Sequence, residues 1–423
     1  MRLPQPRVLA IDNEDDHLQP LVRALTRYGA ACRPILFDGN IASMAPAPLA
    51  RVIFTDLHLD SAATSTQSGN HFSMIQAILD QLAPDGPYLL VLWTRFEDDA
   101  PGLATYLRDR MQQGRPPFAI LPLDKTTHMP SPNQFGPLDE IVNAIDALFD
   151  NNPQIAALLE WEDRVNAASA GTIIGVLKAA KSEDAPDLGR VLHDLAEGIA
   201  GKDKAAGRIG HYVAEALLPV LFDHLLRGDD ADEKLWTAAV NGARDRNSSE
   251  DAAAHAHLNA FSHIDMQPCE CSARGAVISL PDLVRERFSD HFGDFDEATL
   301  AAQFGVKPEE APLEEWLLVQ VRPACDEAQP RPGPLPYLLA REFTSNSRAN
   351  SFGGLWRSPG YIRQGADGIR ALAVSPRFGL SLPPDRLSGA VARFRLRNEL
   401  VFDLIHAAGS HVSRPGIISY GKR

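Results

Sequence analysis

The residues best suited to do chemistry stand at the ends of short apolar runs. Asp12-Asn13-Glu14 closes "RVLAID", Asp56 closes "RVIFTD", Thr94 closes "YLLVLWT", and Lys125 comes just after "FAILPL". Clustered carboxylates favour a hard divalent ion such as magnesium, which takes oxygen ligands and keeps several waters. A lysine and a hydroxyl beside an acid suit phosphoryl oxygens, where positioning and charge neutralisation supply most of the catalysis. An acid at the end of a strand apolar enough to bury is then explained: Asp56 is placed as a nucleophile that accepts a phosphoryl group.

Those residues meet only if the elements bring them together. Within residues 1–150, five apolar runs alternate with stretches of helical spacing. The runs begin at Arg7, Cys32, Arg51, Tyr88 and Phe118, and the helical spacing includes Leu18, Leu21, Val22, Leu25 and Phe72, Ile75, Ile78, Leu79, Leu82. Strands apolar at every position, alternating with amphipathic helices, read as a parallel sheet covered on both faces. Ligands of such sheets bind beyond the carboxyl ends of the strands, where all four motifs converge.

The order and strand-end placement of these motifs over residues 7–150 resembles the receiver domains of response regulators in two-component signalling. The resemblance implies a doubly wound, flavodoxin-like five-stranded parallel sheet. It implies a metal site at Asp12, Asn13, Glu14 and Asp56 that takes Mg2+, with Asp56 as phosphoacceptor. Thr94 then matches the switch hydroxyl, Lys125 the phosphate-binding lysine, and the phosphodonor is a histidine kinase or related ATPase. Three positions depart from the pattern: Asn13 replaces the second acid, Thr126 replaces the proline after the lysine, and Pro122 stands where an aromatic switch residue is common. A polar insertion, "SAATSTQSGN", also follows the third strand. An active, divergent receiver and a pseudo-receiver that takes no phosphate both stay open.

Residues 151–264 read as a helical domain, with Leu, Ile, Val and Ala at helical spacing and Pro153 as a natural helix start. Trp161 and Trp236 are expected to pack, His255, His257 and His263 to be solvated or capping, and "GARDRNSSEDAAAHAH" to form an exposed loop or helix beginning. Residues 265–423 read as an α+β output domain with a small β-sheet or barrel. Strands are expected at "GAVISLP", "WLLVQVRPACDEAQ", "PYLLARE" and "RALAVSPRFGLSLP", before a helix around "LSGAVARFRLRNELVFDLIHAAGSHV" with a Phe394, Leu396, Leu400, Leu404 stripe.

Cys325-Asp326 is expected directly after a strand. Three readings stand side by side: a small buried cysteine with a turn aspartate, a nucleophile served by His411 or His263, and a Zn2+ site of Cys325 with Cys269, Cys271 and one histidine. A CxC pair is a weak zinc signal, since zinc sites usually show CxxC spacing. Arg393, Arg395, Arg397, Arg414, Lys422 and Arg423 make the C-terminus the most basic part of the chain, which leaves nucleic acid or intramolecular acids as their partners.

The chain of 423 residues exceeds the ~250–300 at which single cores stop growing, so two or three domains are expected. A net charge of −14 argues against the whole molecule as a non-specific nucleic-acid binder. There is no apolar run near the ~20 residues of a bilayer span, no signal-peptide pattern at the N-terminus, and only four cysteines. The expectation is a cytoplasmic protein without a membrane partner, and homodimer formation is left open. Two functions remain: a switch phosphorylated on Asp56, of a kind that occurs in bacterial stress and phage defence, or an interaction scaffold with a C-terminal effector or ligand-binding unit at Cys325 and Asp326. The first needs Asp56 and a divalent ion; the second tolerates Asp56→Asn but not Cys325→Ala.

Overall fold

The structure, a computed structural model, describes residues 5–59, 68–84, 86–111, 115–129, 134–180, 185–201, 207–227, 230–241, 252–292, 300, 303–304, 316–328, 333–344, 354–362 and 368–412. The chain divides into two compact units, Met1–Asp163 with Gly228–Asn241, and Arg164–Arg227 with Gly242–Arg423.

The first unit is built on a five-stranded, all-parallel sheet in the order β2-β1-β3-β4-β5. Its strands are β1 (Val8–Asp12), β2 (Cys32–Leu36), β3 (Val52–Thr55), β4 (Leu89–Thr94) and β5 (Ala119–Asp124). The helices are α1 (Asp15–Tyr28), α2 (Ser68–Leu82), α3 (Ala100–Arg110) and α4 (Leu138–Asp150). Alternate strand residues split the core by face. Leu9, Ile11, Ile53, Leu90 and Leu92 pack on Ile75, Leu79, Leu103 and Leu107 of α2 and α3. Ala10, Phe54, Val91 and Trp93 pack on Leu18, Leu21, Ile141 and Ile145 of α1 and α4. Burial on both faces is why these strands carry no polar alternation. Pro34 and Pro122 fall in β2 and β5, the two edge strands, where a missing ladder N–H is tolerated.

One crossover differs from the expected alternation. Between β2 and β3 the chain forms only a 3-10 turn, Ile41–Ser43. Gly39 takes φ +89° there, Pro46 and Pro48 interrupt the stretch that follows, and Phe37, Met44, Ala47 and Ala50 fill the core beside α2 in place of a helix.

Helix α5 (Pro153–Ala179) crosses the division between the units. Its first turns belong to the first unit, where Ile155 and Leu159 pack on the α1/α4 face and Glu162 pairs with Arg7 and Arg51. In the second unit α6 (Ala185–Ala200) and α7 (Ile209–Leu225) pair through Ala196, Ala200 and Tyr212. Helix α8 (Asp230–Val240) lies in the first unit, and Trp236 donates to Glu160 at 2.9 Å. Trp161, expected to pack, is 47% exposed: the stretch reads as helical, but few elements bury it. Helix α9 (Ala252–His263) carries His255 and His257 exposed and His263 half-buried; residues 242–251 of the "GARDRN" segment lie outside the described residues.

The second unit ends in a seven-stranded antiparallel sheet of order β10-β11-β9-β8-β7-β12-β6. Its strands are β6 (Ile264–Asp265), β7 (Ala276–Ser279), β8 (Trp316–Gln320), β9 (Leu335–Thr344), β10 (Trp356–Arg357), β11 (Arg370–Leu382) and β12 (Ala392–Leu396). One face packs Ile278, Trp316, Leu318 and Leu339 on Val284, Phe292 and Phe304. The other packs Val277, Leu317, Val319 and Leu372 on Leu400, Val401 and Leu404 of the C-terminal helix, Asn398–Val412. Gly275 links three strands here, donating to Gln320 and accepting from Leu396; at φ +80° an added Cβ would lie 2.5 Å from the Leu396 carbonyl oxygen.

Two expectations for this unit are corrected. Ala392–Leu396 is a strand and not the start of the final helix: Phe394 and Leu396 are buried while Arg393 and Arg395 are not, a period of two that the single apolar stripe obscured. Cys325-Asp326 does not directly follow a strand: β8 stops at Gln320, and the pair lies in a short helix, Ala324–Ala328, entered through Pro323. Among the described residues, no helix is long and apolar enough to cross a membrane.

Candidate functional site

Strand order places the carboxyl ends of β1 and β3 side by side, at the point where the connections turn from one side of the sheet to the other. Asp12 is the last residue of β1 and Asp56 follows β3; both carboxylates are buried. Lys125 follows β5, opening a 3-10 turn (Lys125–His128) that Asp124 caps by accepting from Thr126 N–H at 2.8 Å. Only 1% exposed, Lys125 donates from Nζ to Asp56 Oδ2 at 2.7 Å and to Asp12 Oδ2 at 3.2 Å. One ammonium between two buried carboxylates leaves the cluster one negative charge in excess. Burial pushes the Asp12 carboxyl up from its ordinary range; the Lys125 ammonium opposes this and the Asp56 charge adds to it.

The other residues read from the sequence lie around this centre. Thr94, fully buried, ends β4, and its Oγ1 accepts Phe96 N–H at 3.3 Å. Glu14 caps α1 through its backbone, donates its N–H to Asp12 Oδ1 at 2.9 Å, and turns its carboxylate to His17 Nδ1 at 3.4 Å. Asn13 Oδ1 is buried and has no hydrogen-bond partner among the described residues. With that orphaned oxygen, Asp12, Asp56 and Asn13 offer the kind of oxygen donors that a hard cation such as magnesium prefers. The Glu14 carboxylate lies 3.4 Å from His17 Nδ1. Among the described residues no group of three or more His, Cys, Asp or Glu side chains is arranged to hold a metal.

Three histidines belong to the site and were absent from the sequence reading. His17, 1% exposed, places Nδ1 3.3 Å from Lys125 Nζ and Nε2 3.1 Å from Arg95 Nη2, with Phe135 against its ring. A readable signal existed, since His17 shares the buried face of α1 with Leu18, Leu21 and Leu25 at the end nearest Asp12. His58 stacks between His71 (4.0 Å) and Phe96 (3.9 Å), donates its backbone N–H to Asp56 Oδ1 at 3.4 Å, and approaches Asp99 at 3.9 Å. Burial, then the neighbouring His71, lowers the His58 pKa, against the pull of Asp56 and Asp99. No protein family matches the sequence, and no curated protein matches it.

Among the described residues, the C-terminal candidates form no comparable cluster. Asp326 N–H bonds to Pro323 O at 3.1 Å, while the Cys325 side chain lies outside the described residues. Cys269 and Cys271 are half-buried against the core, and burial pushes both thiols up, away from the nucleophilic thiolate. Of the basic C-terminal residues, Arg395 pairs with Asp265 at 2.7 Å; Arg414, Lys422 and Arg423 lie outside the described residues, as do residues 60–67 of the polar insertion.

Proposed function

We propose that the first unit is a receiver whose Asp56 accepts a phosphoryl group and switches the rest of the chain. The observation that carries this reading is Lys125, buried at a sheet edge with its ammonium shared between Asp12 and Asp56. A purely structural role would be served by one acid; two acids sharing one cation leave room for a second one. In the reaction, an Asp56 oxygen attacks phosphorus, the bond from phosphorus to the donor's leaving atom breaks, and the leaving group takes the electron pair. Lys125 releases Asp12 and holds a phosphoryl oxygen, and the Thr94 hydroxyl turns from Phe96 N–H to another. Magnesium on Asp12, Asp56 and Asn13 would neutralise the charge gathered on the transferring group. The phosphodonor is a histidine kinase or related ATPase, and the helical and C-terminal regions carry the output.

Intact-protein mass after incubation with acetyl phosphate and magnesium tests the reading. The expected result is a phosphate-sized gain in wild type and none in Asp56→Asn. No gain in either protein, with no magnesium binding by titration, sinks it and leaves the cluster as structural.

A further inference from the structure

A second knot of buried polar groups lies outside the Asp56 site, where β7 begins and β8 ends. Arg274, 2% exposed, directly precedes Gly275, whose N–H donates to the Gln320 carbonyl at 3.0 Å. Three side chains are tied together there. Arg322 N–H donates to Gln320 Oε1 at 3.1 Å, and Arg274 Nε donates to the Arg322 carbonyl at 3.0 Å. From Nη1, Arg274 also donates to Asn398 Oδ1 at the start of the C-terminal helix, and its guanidinium covers the Phe402 ring at 4.5 Å. The guanidinium is therefore fixed in place.

Each of the three residues nevertheless keeps a donor in hand. Arg274 Nη2, Arg322 Nε and Gln320 Nε2 are buried and have no hydrogen-bond partner among the described residues. The carboxylate that reaches the knot, Glu327, meets none of these atoms: its Oε1 accepts Arg274 N–H at 3.4 Å and lies 3.5 Å from Arg322 Nη2. Both contacts are long. Burial lowers the Arg274 pKa from its ordinary value, Glu327 opposes this and Arg322 adds to it, so both charges act on the same guanidinium. Two guanidiniums facing the one carboxylate of Glu327 leave these groups with an excess of one positive charge. Orphaned donors in a native fold call for an acceptor such as a water or an ion. Water supplies the acceptor but not the missing charge; an anion supplies both.

We propose that this knot binds a small oxyanion, a carboxylate or a phosphate, on Arg274 Nη2, Arg322 Nε and Gln320 Nε2. Guanidinium N–H groups match the oxygens of either anion. Glu327 holds the place in the absence of ligand: its side chain is 37% exposed, and it withdraws when the ligand's oxygens arrive. The site does not depend on phosphorylation of Asp56. It gives the ligand-binding alternative for the C-terminal region a location, beside the short helix that carries Cys325, Asp326 and Glu327.

Calorimetric titration of the full-length protein with inorganic phosphate and, separately, with succinate tests the proposal, in magnesium-free buffer so that the Asp12–Asp56 cluster stays anionic. One of the two anions should bind wild type with a stoichiometry of one, and which of them binds names the ligand class. Arg322→Gln should weaken that binding about tenfold or more, the worth of a hydrogen bond to a charged group. Glu327→Gln should tighten it, up to about fivefold, by removing a partly exposed competitor. Arg322 is chosen over Arg274 because it is less deeply buried, and circular dichroism checks the fold of each variant. Binding of neither anion to wild type overturns the proposal, as does binding that Arg322→Gln leaves unchanged. If Arg322→Gln does not fold, Glu327→Gln decides, since unchanged or weaker binding there removes the displacement on which the site depends. Any of these failures leaves the receiver reading untouched.

Discussion

The two sheets of this protein both bury charged side chains, and they do so in opposite ways. In the parallel sheet, Asp12, Asp56 and Lys125 lie at strand ends, with two acids to one base, and the Asn13 oxygen after β1 has no hydrogen-bond partner among the described residues. In the antiparallel sheet, Arg341 and Glu342 lie within β9: Glu342 accepts from Tyr361 Oη at 2.7 Å, and Arg341 covers the Trp316 ring at 5.6 Å. Arg274 is held by the Arg322 carbonyl at 3.0 Å, Asn398 at 2.5 Å and the Phe402 ring, although its Nη2 has no hydrogen-bond partner among the described residues. Buried polar groups that hold a fold together are matched locally and placed where strands support them. On the proposed function, a cluster with excess charge at strand ends is matched when a cation and a phosphoryl group arrive.

The sharpest way to break this contrast is to remove the cation. Lys125→Met leaves two buried carboxylates without a counter-charge, and breaking a buried pair from one side costs about 3–5 kcal/mol. The low end is expected, because Asp12 is already pushed toward its neutral form. Asp56→Asn relieves the excess charge instead, so its stability should stay within about 1 kcal/mol of wild type while phosphoryl uptake is lost entirely. Urea unfolding of the two variants decides: equal, large losses would make the cluster an ordinary structural ion pair.

On the other sheet the expected pattern is reversed. Tyr361→Phe removes the hydroxyl that donates to the buried Glu342 carboxylate, at a cost of about 1–3 kcal/mol. Phosphoryl uptake at Asp56 should not change. If the variant is as stable as wild type, Glu342 has another full set of donors and the antiparallel sheet is less tightly matched than the comparison requires.

Much of the parallel sheet was legible because its strands are apolar at every position and its functional side chains interrupt them only at the ends. The β2–β3 crossover was not, since the regular alternation was extended to a gap in which Gly39, Pro46 and Pro48 stand against a helix. In the antiparallel sheet, Phe394 and Leu396 satisfy both a helical stripe with Leu400 and Leu404 and a strand period of two. Only pairing with β7 and β6 decides between them. Within the site, Asp12, Asp56 and Lys125 could be read because each stands alone at a strand end. His17 could not be weighed in the same way, because a histidine on an apolar helix face is more often core than machinery, and its meaning comes from Lys125, 108 positions away in sequence.

The smallest effect expected lies at the edge of the antiparallel sheet, where Arg395 of β12 donates to Asp265 of β6 at 2.7 Å. The Arg395 hydrogen bond, followed by the Gln267 backbone N–H, lowers the Asp265 pKa below its ordinary value near 3.8. A carboxyl depressed in the folded state stabilises that state at pH values above the unfolded pKa, and the contribution fades as pH falls through the folded value. Because solvent reaches both side chains, the pair should contribute about 1 kcal/mol or less. Arg395→Met should therefore lower stability slightly at pH 7 and by less at pH 3, where wild type has begun to lose the same contribution. A gap that widens toward pH 3 would mean that Arg395 acts through packing of its stem and not through the Asp265 charge, and β6 would then be held by backbone pairing alone.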